Sequence, residues 1–228
     1  MTSPRGPDGR AAAHLSYKSN TMNRSLVALG AVVLFSAPLA PALAQAGPYP
    51  AMQPTQVASR EYNFALADFS GGTALVFQWR EKMGDPRMQF TADLGVTDGA
   101  NSSGLIIGGS LHYQLTRANE DLPFDMVLGG GLGLVAYDAV NILRIPVGLA
   151  IGHRFPLEGG FAVSPFVHPR LSIDRVSKNG ISASQTNLNI DIGASFELNP
   201  RMQLRMAATL GDSDAVGLSF AWLPRGLR

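Results

Sequence analysis

The feature that most constrains this chain is a strict alternation of side-chain character recurring from Glu61 to Trp222. In Asn187–Leu198 every position obeys it. Leu188, Ile190, Ile192, Ala194, Phe196 and Leu198 fall on one side, and Asn187, Asn189, Asp191, Gly193, Ser195 and Glu197 on the other. A period of two is the signature of a strand with one apolar and one polar face. The same pattern repeats about ten times, for example Leu143, Ile145, Val147, Leu149 and Ile151 against Arg144, Gly148, Ala150 and Gly152. Ser70-Gly71-Gly72, Gly84-Asp85-Pro86, Asn199-Pro200 and Gly211–Asp214 punctuate it as tight turns. Asp98–Ser103 and Val176–Gln185 read as longer loops, the latter as the one segment able to form a binding tip. No stretch has a helical period, so the prediction is an all-β, antiparallel up-and-down meander of about ten strands, with eight the alternative.

The strands occupy residues 59–224, followed by a tail over 225–228. Ahead of them, Met22–Ala44 has Arg24 as a positive start, an uncharged apolar run over Leu26–Phe35, and Ala42-Leu43-Ala44 before Gln45. That is the pattern of a Sec signal peptide cleaved between Ala44 and Gln45. Residues 1–21 are patternless, consistent with Met22 as the true start, and 45–58, rich in Pro, Gln and Ala, reads as a flexible lead-in. Without Arg5, Arg10, Lys18, Arg24 and Asp8, the mature chain is near −2, against +1 for the whole. There is no basic excess for nucleic acid. The absence of cysteine excludes disulfides, thiolate metal sites and a Cys nucleophile.

Alternation does not say which face is inside. A water-facing sheet of ten strands carries more charge than the Gly-, Ser- and Asn-rich polar faces here, and the mature lysines are only Lys82 and Lys178. Aromatic residues Tyr62, Trp79, Tyr113, Phe124, Tyr137, Phe155, Phe161, Phe196 and Trp222 sit near strand ends, as interfacial girdles do. Strands of roughly 9–12 residues span a tilted bilayer crossing, and only a closed barrel satisfies every backbone group in lipid. The expectation is a transmembrane β-barrel with its polar face inward.

On these residues, Glu61–Trp222 resembles a small bacterial outer-membrane β-barrel of the OmpA/OmpX-like or porin-like type. The final strand, Val216–Trp222, resembles the signal read by the barrel-assembly machinery, although Leu223–Arg228 follow it. The resemblance implies residence in the outer membrane of a Gram-negative envelope after Sec export. It also implies lipid, periplasmic chaperones and the assembly machinery as partners.

The inward parity then carries Glu61, Arg80, Asp93, His112, Arg144, His168, Arg170, Asp174, Asp191, Glu197 and Arg205. Buried charges must be paired or wet. The sequence suggests Arg170 and Asp174 near Asp191, and Asp191 near Arg205. Two roles remain open: structural ion pairs filling a narrow lumen, or a narrow porin-like path for small ions or solutes. A barrel hydrolase is an alternative, since His168 shares its face with Ser164, Ser172 and Asp174. Residues four apart on a strand lie about 13 Å apart, however, so any triad would be cross-strand. A soluble periplasmic barrel holding an apolar ligand is the other alternative. Gly129–Gly133 sits within a strand and not before a helix, so it is no phosphate loop. No metal-ligand spacing appears, and neither a cofactor nor a catalytic residue is assigned.

Overall fold

The computed structural model describes residue 50 and residues 52–69, 71–99 and 102–226. The predicted signal segment, with Ala44 and Gln45, lies outside them. Ten long strands form the body: β1 (Arg60–Phe69), β2 (Gly72–Lys82), β3 (Met88–Gly99), β4 (Ser103–Thr116), β5 (Asp125–Tyr137), β6 (Val140–Gly152), β8 (Ala162–Lys178), β9 (Ile181–Asn199), β10 (Met202–Gly211) and β11 (Ala215–Trp222). A two-residue strand, β7 (Phe155–Pro156), pairs with the start of β8. Sequential neighbours pair antiparallel, β1 pairs with β11, and β6 pairs with β8, so the sheet closes on itself. Closure removes the free sheet edges that lipid cannot satisfy.

The alternation resolves in the inverted sense. Phe64, Leu66, Leu75, Leu94, Ile107, Leu132, Ile145, Leu171, Ile192 and Leu218 are exposed, whereas Arg80, Arg144 and Arg205 are fully buried. An apolar exterior around a polar interior is what a bilayer selects and what water would penalise. The chain is a closed, ten-stranded barrel of the outer-membrane type.

Four differences from the sequence reading follow. Val176–Gln185 is not a loop: β8 and β9 run through it and turn at Asn179-Gly180, where φ is 49° and 81°. Asn-Gly with positive φ at both positions is the tight hairpin turn whose twist matches the flanking strands. Asp98–Ser103 likewise shortens, because β3 runs to Gly99 and β4 begins at Ser103. The aromatic residues make one collar, not two. Tyr62, Trp79, Tyr113, Phe124, Phe155, Phe161, Phe196 and Trp222 all lie at the proximal end, where β1 starts and β11 finishes, with Tyr62 stacked on Trp222 at 5.6 Å. Tyr137, at the distal end, packs instead against an interior apolar cluster.

Finally, the described part of the lead-in is packed. Met52, Val57 and Ala58 are buried against barrel residues including Phe166, Val127 and Ala221. Inward glutamines hold this strap. The Gln114 side chain accepts from Val57 N at 2.8 Å and donates to Thr55 O at 2.9 Å, and Gln89 donates to Ala58 O at 2.9 Å. Backbone polar groups entering a barrel need such partners.

Candidate functional site: the barrel interior

All eleven inward residues named from the sequence are buried in the lumen. The strand register decides which of them meet. Glu61 on β1 is directly opposite Arg80 on β2 and forms an ion pair with it. Arg205, on β10, also reaches Glu61, with Nη1 and Nη2 at 2.6 and 2.8 Å from its two carboxylate oxygens. It crosses the intervening β11, whose inward Ser219 and Ala221 are too small to obstruct it. One carboxylate thus serves two guanidiniums that are far apart in sequence.

A second group centres on Asp191. It accepts from Arg170 Nε at 2.7 Å and Thr209 Oγ1 at 2.7 Å, and lies 3.3 Å from His168 Nδ1. A third is Arg144–Asp174, bidentate at 2.6 and 2.5 Å, with Asn187 donating to Asp174 at 2.6 Å. Two groupings suggested by the sequence therefore change. Asp174 pairs with Arg144 rather than joining Asp191, and Arg205 serves Glu61 rather than Asp191. Register and closure, which alternation does not encode, make the difference.

Glu197 lies near the proximal mouth, where Arg154 from the loop after β6 meets it at 2.7 and 2.6 Å. That hydrogen bond and charge hold the Arg154 guanidinium above its ordinary value. Asp93 accepts from Gln78, which in turn accepts from Asn63 and Arg80. Gln78, Gln89 and Gln114 share the inward parity, but alternation carries no signal that they catch the strap or extend the ion-pair network.

His112 stands apart from the ion pairs. Its Nε2 is 2.8 Å from Ser110 Oγ on the same strand face, and its buried Nδ1 has no hydrogen-bond partner. A nucleophile–base set needs a third group orienting the base. Ser164 and Ser172, on the His168 face, are likewise buried. Among the described residues no group of three or more His, Cys, Asp or Glu is arranged to hold a metal.

The lumen is filled at both ends. The strap enters at the proximal end and reaches inward to Gly217, where an added Cβ would meet Met52 and Pro50. Toward the distal end Ala65, Ala67, Phe69, Ala74, Val76, Ile106, Val135 and Ile142 form one apolar cluster drawing on β1, β2, β4, β5 and β6. These inward apolar residues were not singled out in the sequence because they obey the same parity as the charges while breaking its polarity.

No family model and no curated protein matches the chain. Solved barrels are similar to it. The KdgM porin is 8% identical over 71% of this chain and 98% of that one, with a TM-score of 0.37. LpxR from Salmonella typhimurium is 10% identical over 74% and 85%, at 0.42. Ail, the attachment invasion locus protein of Yersinia pestis, is 11% identical over 72% and 95%, at 0.28. The likeness concerns the barrel fold alone.

Proposed function

We propose that this protein is a sealed, non-conducting outer-membrane barrel with a structural role in the envelope, not an open pore. The observation that supports this is the filling of both ends of the lumen, by the strap and by the distal apolar cluster. A conducting path needs a continuous wet route whose charged groups stay available to ions. Here Glu61, Asp174 and Asp191 are each engaged by arginines. The charges act as internal cross-links between strands, with bilayer lipid as the protein's immediate partner. Delivery through the Sec pathway, periplasmic chaperones and the barrel-assembly machinery completes this reading.

The test is current through the mature chain reconstituted in planar bilayers. The expected result is heat-modifiable, folded protein that adds no unitary conductance steps. Stepwise, sustained current from the same preparation would establish a porin-like channel and overturn the proposal.

A further inference from the structure

The proximal end of β4 carries two arginines without counter-ions. Leu111, Tyr113 and Leu115 are exposed, lipid-facing positions of that strand, and Tyr113 belongs to the aromatic collar. The next position of the same parity is the exposed Arg117. Arg87, also exposed, ends the turn ahead of β3, and its carbonyl accepts from Gln114 N at 2.8 Å. That bond sets Arg87 beside the end of β4. Among the described residues neither arginine forms a salt bridge.

Arg87 and Arg117 line a cleft of about 370 Å³, with Asn119 as a further polar group and Leu115 and Leu122 as apolar ones. One wall is the connection from β4 to β5, and hydrogen bonds fix its shape. Ala118 N donates to Asp125 Oδ1 at 3.0 Å, and Thr116 Oγ1 donates to Phe124 O at 3.0 Å. Asn119 Oδ1 accepts from Asp121 N at 3.0 Å and from Leu122 N at 2.7 Å, which leaves the amide NH2 to donate elsewhere. The exposed acids of the two connections are Asp85, Glu120 and Asp121. None lines the cleft, and Asp85 Oδ1 accepts from Arg87 N at 2.7 Å. The cleft thus offers positive charge and donors next to the collar, at the level where hydrocarbon gives way to headgroups.

We propose that this cleft binds the phosphodiester headgroup of an anionic glycerophospholipid, of the phosphatidylglycerol kind, from the leaflet at the proximal end. The phosphate follows from two guanidiniums sharing one cleft, because arginine presents paired donors matched to phosphate oxygens. The lipid follows from the setting. Tyr113 and Phe124 of the collar adjoin the end of β4, and Leu115 and Leu122 give the glycerol and upper acyl chains an apolar contact. The net negative charge follows from the lining. A zwitterionic headgroup brings an ammonium, which no carboxylate in the cleft receives and which two guanidiniums repel. The inference rests on the reading that bilayer lipid is the immediate partner, and not on whether the lumen conducts.

The test is native mass spectrometry of the mature chain released from detergent micelles. It is titrated with phosphatidylglycerol, phosphatidylethanolamine or phosphatidylcholine of identical acyl chains. The double variant Arg87→Gln, Arg117→Gln removes the charge of the cleft. Arg201→Gln, at an exposed arginine in the β9–β10 turn that does not line the cleft, controls for charge in general. Both are verified as folded by heat-modifiable migration. The expected result is one phosphatidylglycerol per barrel, bound about tenfold more tightly than either zwitterionic lipid. That preference is lost in the double variant and kept in Arg201→Gln. Equal affinity for the three lipids, a preference that survives in the folded double variant, or an equal loss in Arg201→Gln overturns the site. Displacement of the lipid by millimolar inorganic phosphate makes the ligand a free anion and overturns the lipid assignment. Flotation with vesicles separates the two readings. A chain that floats but shows no preference overturns the cleft alone, and a chain that does not float overturns the bilayer setting and the cleft with it.

Discussion

The two walls of this barrel solve the same problem in opposite ways. Along β10–β11–β1–β2 the register is unbroken from Tyr62↔Trp222 to Phe69↔Ala215 and from Arg60↔Glu81 to Phe69↔Gly72. Large inward side chains, Arg205, Glu61 and Arg80, bridge three strand boundaries there. At mid-height along β4–β5–β6 the inward positions include Gly108, Ser110, Gly129, Gly131, Gly133, Pro146 and Gly148, and the β5–β6 ladder is interrupted there. Cross-strand side-chain pairs are the unit of sheet stabilisation, and the second wall has few to offer. What it gains is space. A barrel with bulky ion pairs all round would have no cavity, and one with glycine all round would have too little cross-strand stabilisation.

The largest expected effect breaks the strong wall. Glu61→Ala leaves Arg80 and Arg205 buried without their shared carboxylate. Removing one partner of a buried ion pair costs about 3–5 kcal/mol, because the remaining charge is uncompensated. Here two charges are orphaned, so the urea midpoint of the unboiled, SDS-resistant band should fall sharply or the band should vanish. A midpoint within experimental error of the wild type would show that the guanidiniums find water, and that the strong wall does not depend on this carboxylate.

The strong wall was half legible in the sequence, and the reason is specific. Alternation assigns Glu61, Arg80 and Arg205 to one face without reference to any partner, since parity is a local property. Which charges touch depends on closure. Arg205 meets Glu61 only because β11 lies between them with Ser219 and Ala221 inward, a fact of register and shear that no single strand carries. The weak wall was legible as glycine but not as an interrupted ladder, because Gly129–Gly133 alone does not say which strand residue faces it. The position of Pro146 across the ladder supplies that. The strap was misread for a related reason. Its Pro, Gln and Ala composition resembles a linker, and the inward glutamines that fix it lie more than 30 residues away in sequence.

A smaller effect of opposite sign tests the weak wall. Pro146→Ala returns one backbone N–H to the strand facing Gly131 and Leu132. If the missing donor causes the interruption, the ladder closes, with a gain of about 1 kcal/mol for a recovered hydrogen bond. Amide exchange at Gly131 and Leu132 should slow in lipid-reconstituted protein. Unchanged exchange would place the cause in the glycines.

The smallest effect separates the two faces of the weak wall by a single residue step. Gly130 and Gly131 are neighbours, yet pleating sends a side chain at one outward and at the other inward. A Cβ on Gly131 would lie 2.7 Å from Gly109 O and from Ser110 Cβ, so the β4 backbone must shift. A Cβ on Gly130 would have only ordinary contacts, at 3.6 Å from Pro146 O and Val147 Cγ2. Gly131→Ala should therefore destabilise by about 1–3 kcal/mol, as overpacking does. Gly130→Ala should change stability by no more than about 0.5 kcal/mol, its entropic gain in the unfolded chain offsetting any local adjustment. Both are read from urea titration of the unboiled band in lipid. Equal costs would mean that the wall yields as a whole. A difference confined to Gly131 shows that the close approach of β5 to β4 depends on the parity of the β5 glycines.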